Sequence, residues 1–142
     1  MARVADNIAQ GHGPRMRGRA EVDYANMGVL APSGEVFSSG EDVARFLRVM
    51  SGLEAHPVRG AVELAIEPRA LGGMGKRIAF GWDVSEGASP IWSKSGLTPG
   101  FTAFVAFKRD PQVGVAILSN IAQHAEVRDV VFELIEVAST LP

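Results

Sequence analysis

Trp92-Ser93-Lys94-Ser95-Gly96-Leu97-Thr98-Pro99-Gly100-Phe101 sets the organisation of the chain. A lysine, a hydroxyl and a glycine stand in direct succession, and a turn signal follows at Pro99-Gly100. Two strongly apolar runs come next, Phe101 to Phe107 and Val113 to Leu118, joined through Arg109-Asp110-Pro111-Gln112. Both runs carry aromatic and β-branched residues, which fit a pleated, half-buried strand. Their connections are too short for a parallel crossover. The pattern predicts an antiparallel meander with strands near 78–84, 91–95, 101–108 and 113–119. Gly81 marks a bulge or a close approach in the first of them, and Glu86 to Pro90 reads as a hairpin loop.

Helical signals flank the meander. Residues 125–140 place Val127, Val130, Val131, Leu134, Ile135 and Ala138 on one side, with most charges opposite, as in a helix that covers one face of a sheet. Upstream, Ser39 is a good N-cap, and Glu41 and Asp42 suit the positive end of a helix dipole. Val43, Phe46, Leu47 and Met50 then follow at helical spacing, and Gly52 is a natural stop. A weaker helix is expected from His56 or Pro57 to Ile66, limited by Pro68. Leu71 to Lys76 reads as a flexible connection. Residues 1–36 show no period; Gly11, Gly13, Pro14 and Gly18 punctuate a loop that holds Arg15, Arg17 and Arg19, which share no face. Pro32-Ser33-Gly34 is a turn signal.

The length of 142 residues is that of one domain, with about 1–75 loop and helix and about 76–142 sheet and C-terminal helix. Hydrophobic residues make up 46% and charged residues 21%, so a packed core is expected. A net charge of -2 gives no electrostatic case for a nucleic-acid partner. Cysteine is absent, which excludes disulfides, thiolate metal sites and a cysteine nucleophile and selects no compartment. No metal or other cofactor is expected. No apolar run is long enough for a membrane span, and Met1 to Ile8 lacks the apolar centre of a signal peptide, so no export address is expected in the chain.

Lys94-Ser95-Gly96 on a strand, followed by a turn, two apolar hairpin strands and a helix, resembles the C-terminal part of serine β-lactamases of the class C type. Related penicillin-binding proteins, D-amino-acid peptidases and esterases share the pattern, whose Lys-Ser/Thr-Gly motif lies on a sheet strand. The likeness continues through Pro99-Gly100-Phe101, Phe104 to Phe107, Pro111 and Val115 to Asn120. Upstream, Ala31 to Ser39 with Asp42 to Phe46 resembles the family's segment entering a helix beside the active site, and Phe80-Gly81-Trp82 resembles the strand before the lysine motif. It covers the chain from about residue 7 onward. It implies an α+β fold: an antiparallel sheet with a C-terminal helix packed on it and a small helical segment, incomplete relative to the whole β-lactamase/transpeptidase-like fold. That segment belongs to a second, helical lobe in the family, and loose packing is expected for it here. The substrates implied are β-lactams, D-amino-acid peptides or esters, and the family is often periplasmic or secreted. Acyl transfer needs a nucleophile, a proton acceptor and oxyanion donors. The resemblance makes Lys94, Ser95, Gly96, Leu97 and Asn120 substrate-binding, with the Leu97 backbone N–H as an oxyanion donor.

The family's nucleophile motif, Ser-x-x-Lys, is not in these 142 residues. None of the ten serines has a lysine three residues on. Tyr24-Ala25-Asn26 has the spelling of the family's Tyr-x-Asn motif, but it lies too close to the matched 32–46 segment to hold that place. The expectation is a C-terminal part of a serine hydrolase that is inactive alone and docks an N-terminal half. An uncovered strand edge would also lead the free chain to form a dimer or larger. Two further readings stand beside it: a non-catalytic assembly module, and an enzyme using Ser93 or Ser95 with His12, His56 or His124.

Overall fold

A computed structural model describes residues 7–14, 18–73 and 76–141. In chain order its elements are β1 (Gly11–His12), β2 (Glu21–Val22), a 3-10 helix (Gly28–Ser33), α1 (Gly40–Ser51), α2 (Arg59–Ile66), β3 (Ala70–Leu71), β4 (Arg77–Ile78), β5 (Asp83–Val84), β6 (Trp92–Thr98), β7 (Phe101–Arg109), β8 (Gln112–Ser119) and α3 (His124–Ala138). β3 to β8 form one antiparallel sheet in sequence order, and β1 pairs with β2 separately. The fold is α+β, as the resemblance implied.

Side-chain alternation along β7 divides the core in two. Phe107 faces a cluster with Leu47 and Met50 of α1, Val62 and Ile66 of α2, and Ala79, Trp82 and Val84. Phe104 and Ala106 face Val131 and Ile135 of α3, with Ile91 completing that cluster. The sheet is thus sandwiched between α1 and α2 on one face and α3 on the other. Phe107 has no exposed surface. Its ring lies edge-on to Trp82 with centroids 5.0 Å apart, and stacks on Trp92 at 5.4 Å. The Trp92 indole N–H donates to the Ile66 carbonyl at 2.8 Å, tying α2 to the same cluster.

The 39–52 signals act as expected. The Ser39 side chain accepts a hydrogen bond from the Asp42 N–H, Glu41 and Asp42 occupy the first turn, and Gly52 caps the end. The expectation of loose packing is corrected. Leu47 and Met50 are buried, and Leu47 lies so close over Gly114 of β8 that a Cβ there would sit 3.0 Å from the leucine's own. Small residues in β8 bring α1 down onto the sheet.

Four other expectations change. The single strand over 78–84 is two short strands around a turn at 79–82, where Gly81 takes φ +76° and the Ala79 N–H reaches the Trp82 carbonyl at 2.9 Å. β6 runs to Thr98 rather than stopping near 95, because Leu97 and Thr98 pair with Thr102 and Phe101, leaving only Pro99-Gly100 as the turn. The 71–76 connection begins with β3, and the 1–36 loop contains two short strands and a 3-10 helix with Pro32 inside it. Arg15 and Arg17 lie outside the described residues.

The apolar side of α3 is wider than its contact with the sheet. Val131 and Ile135 are fully buried and Phe132, absent from the expected face, packs on Phe104, whereas Val130 and Leu134 remain half exposed. Lys108 of β7 is buried on this side and pairs with Glu136 at 2.8 Å, so its charge is compensated.

Replacing Phe107 with alanine removes the ring shared by two tryptophans and two helices. The expected cost is about 3–5 kcal/mol, read by chemical denaturation followed through tryptophan fluorescence. A cost below about 1 kcal/mol would show that Phe107 does not join the layers.

Candidate functional site

The lysine–serine–glycine stretch lies where the sheet has an opening. β5 is two residues long and pairs only with Trp92 and Ser93. Beyond that point, Lys94 to Thr98 have β7 on one side and no strand on the other among the described residues. Half of the backbone groups of an antiparallel strand point away from a given neighbour, so this stretch presents N–H and C=O groups outward. An extended molecule can add along such an edge.

Register assigns each side chain to a face. Lys94, Gly96 and Thr98 pair with Val105, Ala103 and Phe101, and so share the α1 side of the sheet. Ser95 and Leu97 pair with Phe104 and Thr102, and so lie on the α3 side. Lys94 and Ser95 therefore approach one ligand only at the open edge, each from its own face. The Lys94 ammonium is exposed and folds back to the Ser95 carbonyl at 2.6 Å. Across from Gly96 stands Ala103, so two small residues keep the floor of the α1 side low. Leu97 is exposed.

An N-terminal clamp holds the hairpin end of this strand. The His12 N–H lies 3.2 Å from the Gly100 carbonyl and 2.9 Å from that of Asn120, and the Ala122 N–H donates to the His12 carbonyl. The Asn120 side-chain amide donates to the Gln10 carbonyl at 2.9 Å. Asn120 thus sits at the far end of β8 and engages the clamp, two strands from β6. Tyr24 belongs to the clamp too: its hydroxyl donates to the Ala9 carbonyl at 3.2 Å, and its ring stacks on Phe101 and meets Phe37 edge-on. Gly100 has φ +87°, and a Cβ there would collide with Val22 and lie 3.0 Å from Gly11.

Sequence reasoning singled out no role for Thr98, a neighbour of the site, whereas the resemblance set Ala31 to Ser39 beside an active site. A Cβ on Gly34 would lie 3.4 Å from the Thr98 methyl, so the 3-10 helix borders the end of β6. Period-two counting from Lys94 finds Thr98; Gly34 is reached only through the resemblance, since no local spacing links it to Lys94.

The structure brings no serine and histidine together among the described side chains. The His12 Nδ1 lies 3.1 Å from the Arg19 carbonyl, and the His56 Nδ1 accepts from the Val58 N–H at 3.3 Å. Ser93 is buried. The side chain of His124 lies outside the described residues. No cluster of metal-ligating side chains occurs among the described residues, and no described helix is long and apolar enough to cross a membrane. Two clefts, of about 740 and 580 Å³, run along α1 and include no residue of β6. The chemistry available at β6 is recognition: a cation, a hydroxyl and outward backbone donors around one edge.

A sequence profile for the family described as Beta-lactamase matches residues 2–139. The solved class C β-lactamase from Rhodobacter sphaeroides superposes with a TM-score of 0.78 at 20% identity, over 97% of this chain and 48% of its own. The chain spans about half the length of that relative. No curated protein matches it.

Gly100→Val places a side chain where Gly11 and Val22 pack, in a conformation that costs an ordinary residue about 1–2 kcal/mol. Hydrogen exchange should accelerate at His12 and Ala122 while the β7–β8 amides stay protected. Unchanged exchange at His12 would show that the clamp does not depend on this approach.

Proposed function

The chain belongs to the β-lactamase family and has the fold of its C-terminal portion, and we propose that it supplies the substrate-carboxylate and oxyanion wall of a serine acyl-transfer site. The observation that carries this reading is the open edge of β6, where Lys94 and Ser95 converge from opposite faces. A substrate carboxylate at the edge receives a charge-assisted hydrogen bond from Lys94 and a neutral one from Ser95. Gly96 lets the rest of the substrate lie against the strand. The Leu97 N–H serves as one of the two donors to the developing oxyanion, a contribution that grows in the transition state.

The nucleophile and its proton acceptor come from polypeptide outside these 142 residues. The absence of Ser-x-x-Lys within them and the half-length match to the solved relative support this. So does the apolar surface beside the site: Val29 is 96% and Val36 79% exposed, on the segment that borders Thr98. In this reading Tyr24 is a clamp residue and not the general base. The substrate is a β-lactam, a D-amino-acid peptide or an ester. A second reading, a non-catalytic assembly module, draws support from the open end of the sheet at β8.

The test is reconstitution. The chain is refolded with a family N-terminal half carrying Ser-x-x-Lys and Tyr-x-Asn, and assayed with a chromogenic β-lactam and an aryl ester. Activity should require both polypeptides. Lys94→Ala should lower kcat/KM about 10- to 100-fold, the worth of a hydrogen bond to a charged group. Hydrolysis by the lone chain that disappears in Ser95→Ala would replace this reading with one in which the chain carries its own nucleophile.

A further inference from the structure

Opposite charges stand at the two ends of the open edge of β6. Lys94 is at one end, exposed, and its ammonium donates to the Ser95 carbonyl. Glu35 is at the other, past Thr98. A Cβ on Gly34 would lie 3.4 Å from the Thr98 methyl and 3.0 Å from the Met27 sulfur, so Thr98, Met27 and the end of the 3-10 helix meet at one corner. Glu35 follows Gly34 directly. Its N–H donates to the Ala31 carbonyl at 2.8 Å, and its carboxylate accepts the Met27 N–H. Glu35 is half-buried on Met27, whereas Val36 beside it is exposed. Neither Lys94 nor Glu35 forms an ion pair with another described residue.

Register places both charges about one side of the sheet. Lys94, Gly96 and Thr98 share the α1 side, and Gly34 meets the Thr98 side chain. Four strand steps separate Lys94 from Thr98, about 13 Å. Between them, Gly96 and Ala103 keep the floor low. This side of the edge is therefore positive at its Lys94 end and negative at its Glu35 end.

The proposed wall also fixes the direction of a substrate. The carboxylate lies at Lys94 and Ser95, and the scissile carbonyl lies at the Leu97 N–H. The carboxylate then belongs to the leaving group, and the acyl group continues toward Thr98. One residue of extended peptide covers about the same 3.3 Å as one step along β6. An amino group on the acyl residue thus comes to the corner that holds Glu35. Resting on that wall, we infer that Glu35 is a specificity-determining residue that receives a free ammonium on the acyl side. The preferred substrate is then zwitterionic: a short D-amino-acid peptide with a free ammonium and a free carboxylate, ahead of β-lactams and esters without an amine. The Met27 N–H takes up part of the carboxylate's hydrogen-bonding capacity and orients it, and the remaining lone pairs serve the ammonium. Selection works by difference, since an acylated amine sets an uncharged group against Glu35 and leaves that charge unpaired.

Glu35→Gln removes the charge and keeps an oxygen for the Met27 N–H. The isotope-labelled chain alone is titrated with D-alanyl-D-alanine and with N-acetyl-D-alanyl-D-alanine, and backbone amides are followed by NMR. Both peptides should shift Lys94 to Leu97, and only the free amine should shift Met27 and Glu35. The free-amine peptide should bind about 3- to 10-fold more tightly, the worth of a partly exposed charged hydrogen bond, and Glu35→Gln should abolish that preference. If the variant fails to fold, salt replaces it: the preference of the natural chain should shrink as ionic strength rises. Equal affinity for the two peptides with shifts at Lys94 to Leu97, or a preference that survives Glu35→Gln or salt, would overturn the inference and leave the wall standing. Amides at Lys94 to Leu97 that ignore both peptides would overturn the wall, and the inference with it.

Discussion

β7 is the strand on which the other layers depend. It has a long neighbour on each side, and its alternate residues anchor two separate cores, Phe107 under α1 and α2, and Phe104 with Ala106 under α3. A one-residue slip would exchange the faces. It would bury the wrong side chains and move Lys108 away from Glu136. The two-residue connections Pro99-Gly100 and Asp110-Pro111 hold the strand in place at both ends. The orientation of the candidate site follows from the same register. Lys94 looks toward the α1 side because its partner Val105 does, and Ser95 looks the other way because Phe104 does. In the proposed role, recognition by both residues is therefore a matter of the edge of β6 rather than of either face.

Much of this was legible in the sequence wherever local chemistry acts alone. Ser39, the acidic first turn and Gly52 mark α1 to within a residue, and the apolar runs mark β7 and β8. Errors arose where tertiary packing decides. Nothing local says that Gly114 lets Leu47 approach the sheet, so α1 looked loosely held. The aromatic and β-branched residues around Gly81 suggested one strand, but the positive φ of that glycine folds them into a hairpin. On α3, Val130 and Leu134 satisfy the same wheel as Val131 and Ile135, and only the position of the sheet distinguishes covered from uncovered.

The site was legible as a motif and not as a place. Lys94, Ser95 and Gly96 stand out in the sequence, yet the opening beside them exists because β5 stops after two residues. Tyr24 and Asn120 show the converse. Both are residue types that acyl-transfer sites use, and both make long-range hydrogen bonds to the Ile8 to Gln10 backbone that no spacing rule reveals. The molecule that results has an open strand edge at Lys94 to Thr98 and exposed apolar side chains at Val29 and Val36 along its border.

The central claim is that Lys94 to Leu97 face a nucleophile supplied by another polypeptide. Its most direct test is to trap the acyl intermediate. A slowly released β-lactam is added to the chain mixed with a Ser-x-x-Lys-bearing half, and the adduct is located by peptide mass spectrometry. The account predicts an acyl group on the serine of the complementing polypeptide and none on any serine of this chain. An adduct on Ser95, or on any other serine of these 142 residues, would contradict it.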